Sequence, residues 1–597
     1  MDVAALLTHT PLFSGLPEGD ITALAGLAEP LALHTGQCLY MAGSHPDYLY
    51  LLVSGRLRLH LPGGQVSYVG RLEPVGEIGV LTNEPHSTDV HALRDSLLLR
   101  FAREPLLQLL ANHAPALLAL TRLTLKRVKQ FQAQRRLAVT GERGTVAVIP
   151  ACPGVHRMAL AEALLRNWGG WPLARLITSR HVDAALGEGA AQTPFTDIEA
   201  SRRLTAWLLH LETCHRYVIY VADNGEDAWS LRCLRQADRV LMVAEADKPA
   251  MRIPVLSQLP EPKLLAPVEL VLLRPVGDAS PHTRAWCEAT GARAHYFVHP
   301  WAEADLQALA SQVSGRGVGL VLGGGGARGF AHIGLIRALE QLHIPVHVMG
   351  GTSMGAFISA LLACGYESLE IANIARETFV SNNYLNDYTL PRVSLIEGRR
   401  FMARLVEIFG DRRIEDMRRT YYCMSTNLTT GASVTHDYGP MATWVGSSMA
   451  VPGIAPPIAY RGELLCDGGV VDNLPTDVMQ ALERGSIIAC SVSSKGDIRA
   501  PSPGELDLPD PYAMLSKANR QTRPGFREIL LRTATLTADT VIQNEAMKRA
   551  DAFIAMPVAG VSLFAWKYLD ELIERGYEHA MEQLTPLREQ LVGQKSW

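Results

Sequence analysis

The chain has 597 residues, 48% of them apolar, and a formal net charge of −4. That length exceeds one compact core, so about two to four domains are expected, and the apolar content excludes a disordered scaffold. The slightly acidic balance argues against a nucleic-acid partner, which would call for a basic excess.

The nine cysteines form no CxxC pair and no cluster with histidine. Neither a zinc site nor a disulfide framework is therefore expected, and reduced, mostly buried thiols in a cytoplasmic protein fit better. No basic segment precedes an apolar one at the N-terminus, and no run reaches the roughly 18–20 apolar residues of a membrane span. A lipid substrate would have to be met at a bilayer surface from solution, which makes the expected location cytoplasmic or peripheral on the inner face.

Residues 1 to 102 are expected to form a run of short strands. Tyr48–Val53 and Arg56–Leu61 flank Ser54-Gly55 in a hairpin pattern, and further turns are expected at Pro62-Gly63-Gly64 and Glu84-Pro85. From 103 to 137 the apolar spacing turns helical, through Leu106, Leu109, Leu110, Leu117, Leu120 and Leu123, and ends in a basic stretch from Lys126 to Arg136. A small barrel followed by helices is the expected architecture for a first domain over 1–138.

Val53-Ser54-Gly55 and Gly76-Glu77-Ile78-Gly79-Val80-Leu81 resemble the cyclic-nucleotide-binding domain family, the second as the start of its phosphate-binding cassette. The resemblance implies a nucleotide site at Gly76, Glu77, His86 and Thr88. However, Pro85-His86 stands where that family has Pro-Arg, and Asp89 follows Thr88. Without the bidentate guanidinium the cyclic phosphate loses its main charge partner, so a retained structural or regulatory barrel is expected instead.

Residues 139–314 alternate apolar strands with helical segments. The runs Thr145–Pro150, Tyr217–Asp223, Arg239–Ala244 and Val268–Leu273 are of parallel-sheet type, predicting a doubly wound α/β domain. The loop Pro150-Ala151-Cys152-Pro153-Gly154-Val155 lies where a P-loop would, but lacks Gly-Lys-Ser/Thr. A degenerate nucleotide fold serving as spacer or docking surface is expected.

The third domain, 315–597 with its motif core at 318–480, carries the chemistry. The strand run Val318–Leu322 leads into Gly323-Gly324-Gly325-Gly326-Ala327-Arg328-Gly329 and then a helical pattern. A glycine loop at a helix N-terminus collects backbone N–H groups for an anion. Gly324-x-Gly326-x-x-Gly329 also matches a dinucleotide fingerprint, which requires a carboxylate about 20 residues on. The next strand, Ile344–Met349, ends in Gly350-Gly351 with no acid, which argues against that reading.

That strand runs into Gly351-Thr352-Ser353-Met354-Gly355 and a further helix, the strand–turn–helix context of a nucleophile elbow. Ser353 needs a base. The histidine after Asp467, His579, lies in the helical segment Trp566–Leu584 and reads as a surface residue, whereas Asp467-Gly468-Gly469 reads as a carboxylate on a tight turn at a strand end. A Ser-Asp dyad without histidine is expected.

These motifs resemble the patatin-like phospholipase family, and the glycine-first loop joined to a cyclic-nucleotide-binding-like domain resembles its neuropathy-target-esterase branch. The stretch Ser448–Pro457 is similar to the family's proline-containing segment before the aspartate. The resemblance implies an α/β hydrolase domain with Ser353 as nucleophile and Asp467 as base. It further implies Gly324, Gly325, Gly326 and Arg328 as the oxyanion hole, with Gly329, Gly351, Gly355, Gly468 and Gly469 as motif glycines. It implies hydrolysis of phospholipids or lysophospholipids without cofactor or metal, at a transient membrane surface. The alternative is a regulatory or binding protein whose patatin domain is inactive. Arg399, Arg400, Arg404, Arg412, Arg413, Arg418 and Arg419, interleaved with apolar residues, are expected to form an ordinary salt-bridged helix pair in preference to a lipid-facing cap.

Overall fold

The computed structural model describes residues 3–125, 144–493 and 543–592, apart from positions 9, 11, 14–15, 62–65, 114–116, 119, 123, 224–225, 258–265, 275–281, 300–301 and 391. The basic stretch Lys126–Arg136 and the Pro62-Gly63-Gly64 turn lie outside the described residues. The chain divides into two compact units, Met1–Ala310 and Ser311–Trp597.

The first unit opens with two helices, Val3–Thr8 and Glu18–Leu27, where short strands were expected. They cover the barrel end with Leu7, Ile21 and Leu24, which pack on Leu49, Leu51 and Val53. The barrel strands are β1 Glu29–Leu33, β2 Cys38–Tyr40, β3 Tyr48–Ser54, β4 Leu57–His60, β5 Val66–Val69, β6 Pro74–Val75, β7 Asp89–Ala92 and β8 Ser96–Ala102. They form two antiparallel four-stranded sheets, in the orders β1-β8-β3-β6 and β2-β7-β4-β5.

The expected hairpin of β3 with β4 is not formed. β3 pairs β8 and β6, β4 pairs β5 and β7, and the chain crosses between the sheets at Gly55. A Cβ there would stand 2.1 Å from the Ser96 hydroxyl, and φ is +97°, so only glycine makes the crossing. The two-residue period of β3 serves two cores. Leu49, Leu51 and Val53 face the helices, while Leu52 faces Leu57, Val90 and Leu98 of the other cluster.

The second half of this unit is a fully parallel sheet. Its strands are β9 Gly144–Pro150, β10 Ala174–Ile177, β11 Tyr217–Val221, β12 Arg239–Glu245, β13 Val268–Leu273 and β14 Ala294–Val298, in the order β10-β11-β9-β12-β13-β14. The near-continuous apolar runs of β9, β11, β12 and β13 are buried, as both-face coverage by helices requires.

The second unit is built on an eight-stranded mixed sheet. Its strands are β15 Gly317–Leu322, β16 Val348–Gly351, β17 Thr420–Asn427, β18 Ser433–His436, β19 Ile458–Tyr460, β20 Glu463–Asp467, β21 Gly485–Ser491 and β22 Ala552–Ala555. The order is β19-β20-β17-β16-β15-β21-β22, with β18 paired to β17. Helix Met354–Ala363 is buried at every residue, as its almost wholly apolar composition demands, and its one polar side chain, Ser359, is bonded back to the Gly355 carbonyl at 2.7 Å.

Candidate active site

Strand register brings the motifs together. β15 and β16 are parallel, with Leu322 opposite Gly351, so the glycine loop and the serine turn leave the sheet at the same level. On the other flank β16 pairs β17, with Gly351 opposite Cys423. β20 then runs antiparallel to β17 and sets Asp467 opposite Ser425, two residues further on. Two loops fewer than thirty residues apart and a third more than a hundred residues on thus meet at one sheet end.

Ser353 has φ +54° and ψ −123°, a strained conformation for a residue with a side chain. Its neighbours hold it there. The Thr352 N–H donates to the Leu322 carbonyl at 3.1 Å, the Ser353 N–H donates to Ser448 Oγ at 2.9 Å, and Gly355 donates to the Thr352 carbonyl at 2.9 Å. A Cβ on Gly355 would stand 2.1 Å from the Leu322 carbonyl oxygen, so the glycine permits the helix to start this close to the strand.

The Ser353 side chain stands close enough to the Asp467 carboxylate to lower its pKa, and Asp467 Oδ1 accepts the Gly469 N–H at 2.8 Å. Asp467 is 5% exposed. Desolvation raises its pKa to about 6, against the Ser353 and Gly469 hydrogen bonds that lower it. A carboxylate of that basicity beside a serine hydroxyl is suited to take its proton near neutral pH.

The glycine loop stands beside the serine. A Cβ on Gly324 would be 3.0 Å from that of Ser353. Four of the loop's amides are bonded within the protein: Gly323 to the Cys490 carbonyl, Gly324 to Asn473 Oδ1, Ala327 to the Leu563 carbonyl and Arg328 to the Gly325 carbonyl. Gly325 and Gly326, and Met354 directly after the nucleophile, are the remaining candidates to donate to an oxyanion. The buried Arg328 side chain donates from Nε to the Val561 carbonyl at 2.6 Å, tying the loop to the segment before the last long helix.

Three supporting residues lay outside the sequence reading. Ser448 holds the nucleophile's amide. Asn473 grips Gly324 from both sides, accepting its N–H at 3.1 Å and donating Nδ2 to its carbonyl at 3.2 Å. The buried His332 bonds through Nε2 to the Gly323 carbonyl at 2.8 Å, with Nδ1 3.2 Å from Cys490 Sγ. Burial lowers the His332 pKa to about 4, so the ring is neutral and its role there is to orient the peptide. None of the three is marked by spacing, although Asn473 follows Asp467 by six residues.

His579 lies on the helix Leu569–Leu584 and makes no bond to Ser353 or Asp467 among those of the described residues. The arginine-rich segment gives helix Arg399–Phe409, which buries Phe401, Leu405, Ile408 and Phe409. Its Arg404 is buried and paired with Glu377 at 2.6 Å and Glu407 at 2.9 Å, and Arg413 pairs with Glu415 at 2.8 Å.

Chain comparisons agree with this geometry. A patatin-like phospholipase family model matches residues 320–479, a neuropathy target esterase family P-loop like domain matches 142–314, and a cyclic nucleotide-binding domain matches 30–113. The chain thus carries a patatin-like domain behind a neuropathy target esterase family P-loop like domain and a cyclic-nucleotide-binding domain. Patatin-like phospholipase domain-containing protein 6 of Homo sapiens is 29% identical over 92% of this chain and 44% of its own length. The protein of the same name from Mus musculus is 31% identical over 78% of this chain and 38% of its own. Lysophospholipase nte1 of Neosartorya fischeri is 28% identical over 94% and 42%. The chain thus spans less than half the length of these relatives.

In the cyclic-nucleotide-binding-type barrel, Gly76 is left-handed (φ +87°) and opens the short helix Glu77–Thr82, with Glu77 and Thr88 buried. His86 stacks on Tyr40 with ring centroids 3.7 Å apart, and a Cβ on Gly76 would lie 3.4 Å from its Cε1. Burial lowers the His86 pKa, so a neutral ring packs where the family's arginine would stand. Asp89 accepts the Ala42 N–H at 2.7 Å.

Proposed function

We propose that this protein is a serine lipid hydrolase releasing fatty acids from phospholipids or lysophospholipids. The observation that carries the reading is the convergence of a strained Ser353 and a buried Asp467 at one sheet end, beside a loop with amides to spare. The names of the relatives supply the lipid class.

Asp467 takes the Ser353 proton as Oγ attacks the ester carbonyl. The tetrahedral oxyanion is met by the Gly325, Gly326 and Met354 amides, each key donor contributing roughly 3–4 kcal/mol. As the intermediate collapses, Asp467 returns the proton to the leaving alcohol oxygen, and Ser353 keeps the acyl group. Water, deprotonated by the same carboxylate, then attacks the acyl-serine; the fatty acid leaves and the proton returns to Ser353. Serine, aspartate and water account for every proton and bond.

The strand of amides at Gly324 is held by Asn473 and His332, so the loop is organised before substrate arrives. Arg328 acts through its brace to Val561. In the barrel, the stacked neutral His86 favours a structural or regulatory role over binding of a cyclic nucleotide.

Covalent labelling by a fluorophosphonate, followed by product analysis on defined phospholipids and lysophospholipids, tests the proposal. The full chain should be labelled at Ser353 and should release fatty acid; Ser353→Ala and Asp467→Ala should each lose both. A folded Asp467→Ala variant with substantial activity would overturn the dyad.

A further inference from the structure

Segment 387–397 folds back on itself as a short hairpin between the nucleophile helix and the basic helix. Thr389 donates to the Leu395 carbonyl at 3.0 Å, Glu397 donates to the Asp387 carbonyl at 2.9 Å, and Tyr388 and Ile396 form an antiparallel bridge. Its tip carries large apolar side chains in solvent: Tyr388 is 60% exposed, Leu390 75% and Val393 68%. These are among the most exposed large apolar residues of the unit, and three of them fall within six positions. An isolated exposed apolar residue needs no explanation, but a cluster on a protruding turn does.

Around the hairpin three arginines, Arg392, Arg399 and Arg400, outnumber the two carboxylates of its base, Asp387 and Glu397. Arg392 is exposed beside the tip, and Arg399 is 87% exposed, 3.6 Å from Glu397. Arg400 is held at the hairpin base, its N–H on Asp387 Oδ2 at 3.1 Å and its guanidinium on Asn386 at 2.9 Å. Aliphatic tip, arginines behind it: this is the order of chemistry met on entering a bilayer in reverse, acyl boundary beyond anionic headgroups.

The hairpin is also fastened to the candidate site. Leu395 donates to the Gly453 carbonyl and Ile396 to the Ile454 carbonyl, each at 3.0 Å. Three residues before Gly453, the Ala450 carbonyl accepts the Asp467 N–H at 2.9 Å, and Ser448 holds the Ser353 amide. Three residues of chain span at most about 11 Å. The base of the hairpin is therefore joined through main-chain bonds to the segment that also holds Asp467.

We propose that the 388–393 tip is an interfacial anchor that inserts into an anionic phospholipid surface and presents the Ser353–Asp467 end of the sheet to it. The proposal rests on the lipid-hydrolase reading for its purpose, while the insertion itself is measured independently of catalysis.

The test uses the full chain and two kinds of vesicle, pure phosphatidylcholine and phosphatidylcholine mixed with phosphatidylserine. Wild type should co-sediment with the mixed vesicles and less with the neutral ones. Leu390→Asp/Val393→Asp should weaken co-sedimentation by about tenfold or more, with melting temperature and hydrolysis of a water-soluble short-chain ester unchanged. Arg392→Glu/Arg399→Glu should abolish the preference for the anionic vesicles. As a check independent of any folding defect, Leu390→Trp should give a blue-shifted tryptophan emission on adding vesicles. Equal sedimentation of wild type and the aspartate variant, or no spectral shift, overturns the anchor. So does a change of oligomeric state in the aspartate variant without a change in vesicle binding, which would assign the tip to self-association. Ser353→Ala should bind vesicles as wild type does; vesicle binding without any ester hydrolysis would sink the hydrolase reading and leave the anchor standing.

Discussion

Gly324 and Asn473 bond to each other twice, N–H to Oδ1 at 3.1 Å and Nδ2 to carbonyl at 3.2 Å. The pair works like a rung between two strands, except that one side is a side-chain amide reaching from the turn after the base. It sets the direction of the peptide that leads into Gly325, and so the aim of the amides offered to an oxyanion. Asn473→Leu should lower kcat by about 10²-fold, the scale of one misdirected donor, with KM little changed. Asn473→Asp, which keeps the acceptor and loses the donor, should fall between. A loss confined to KM would assign Asn473 to substrate contact.

Asp467 links activity and stability to pH in opposite senses. As a base it must be ionised, so the rate should rise through an acidic limb near pH 6, its folded-state value. Its folded pKa lies above the ordinary carboxylate value, so the native state binds its proton more tightly than the unfolded chain. Stability from this group is thus full below pH ~4 and is lost as pH rises through 6. Asp467→Asn should therefore be inactive yet more stable than wild type at pH 7, on the order of 1–3 kcal/mol by denaturant titration. Asp472, in the same turn and raised to about 7 by burial and by Asp477, is the competing source of a limb. In Asp472→Asn the limb should stay near pH 6.

Gly355 is a test of the elbow's geometry. Its added methyl would strike a backbone oxygen of β15, a strand paired on both sides, which has no room to yield. Gly355→Ala should cost at least about 1–3 kcal/mol and reduce activity together with stability. A variant as stable as wild type would show that the helix start can shift.

Much of this was legible because parallel strands are buried on both faces and so print continuous apolar runs: β9, β11, β12, β13 and β15 all announce themselves. The meeting of the Gly324 loop and Ser353 followed from loops leaving neighbouring strands, whereas Asp467 arrives on β20, with β17 between it and β16. β10 and β14 were missed, since Ala174–Ile177 and Ala294–Val298 are short and broken by arginine or histidine. The pairing of β3 and β4 was misjudged because alternation looks the same whichever sheet a strand joins; only the steric demand at Gly55 separates them. Ser448, Asn473 and His332 were invisible for a different reason. Each acts on a main-chain group far away in sequence, and single polar residues leave no periodic trace.

His86 should leave the barrel blind to cyclic nucleotides. The ring is neutral, stacked on Tyr40 and packed on Gly76, so it offers a phosphate neither charge nor a bidentate donor. Calorimetric titration of the full chain with cyclic AMP and cyclic GMP should give no saturable heat. Binding tighter than about 10 μM, roughly −7 kcal/mol, would overturn this.

Within the first unit, the barrel and the α/β domain are joined by reciprocal charges. Arg94 of the barrel reaches Glu212 at 3.0 Å and Asp238 at 2.9 Å, and donates to the Gln236 carbonyl at 2.8 Å. The next residue, Asp95, accepts from Arg235 of the other domain at 3.0 Å. Arg94, Glu212 and Asp238 are largely buried, so removing the guanidinium leaves Glu212 without its cation and Asp238 with only the longer contact to Arg56 at 3.7 Å. Arg94→Met should cost about 3–5 kcal/mol and split one denaturation transition into two, as barrel and α/β domain cease to unfold together. Replacing all three residues by apolar ones of similar size should restore much of the loss, because the penalty comes from unpaired charge and not from missing attraction. If Arg94→Met alone unfolds in a single transition within 1 kcal/mol of wild type, the charges are bystanders and the apolar contacts of the two domains hold the joint.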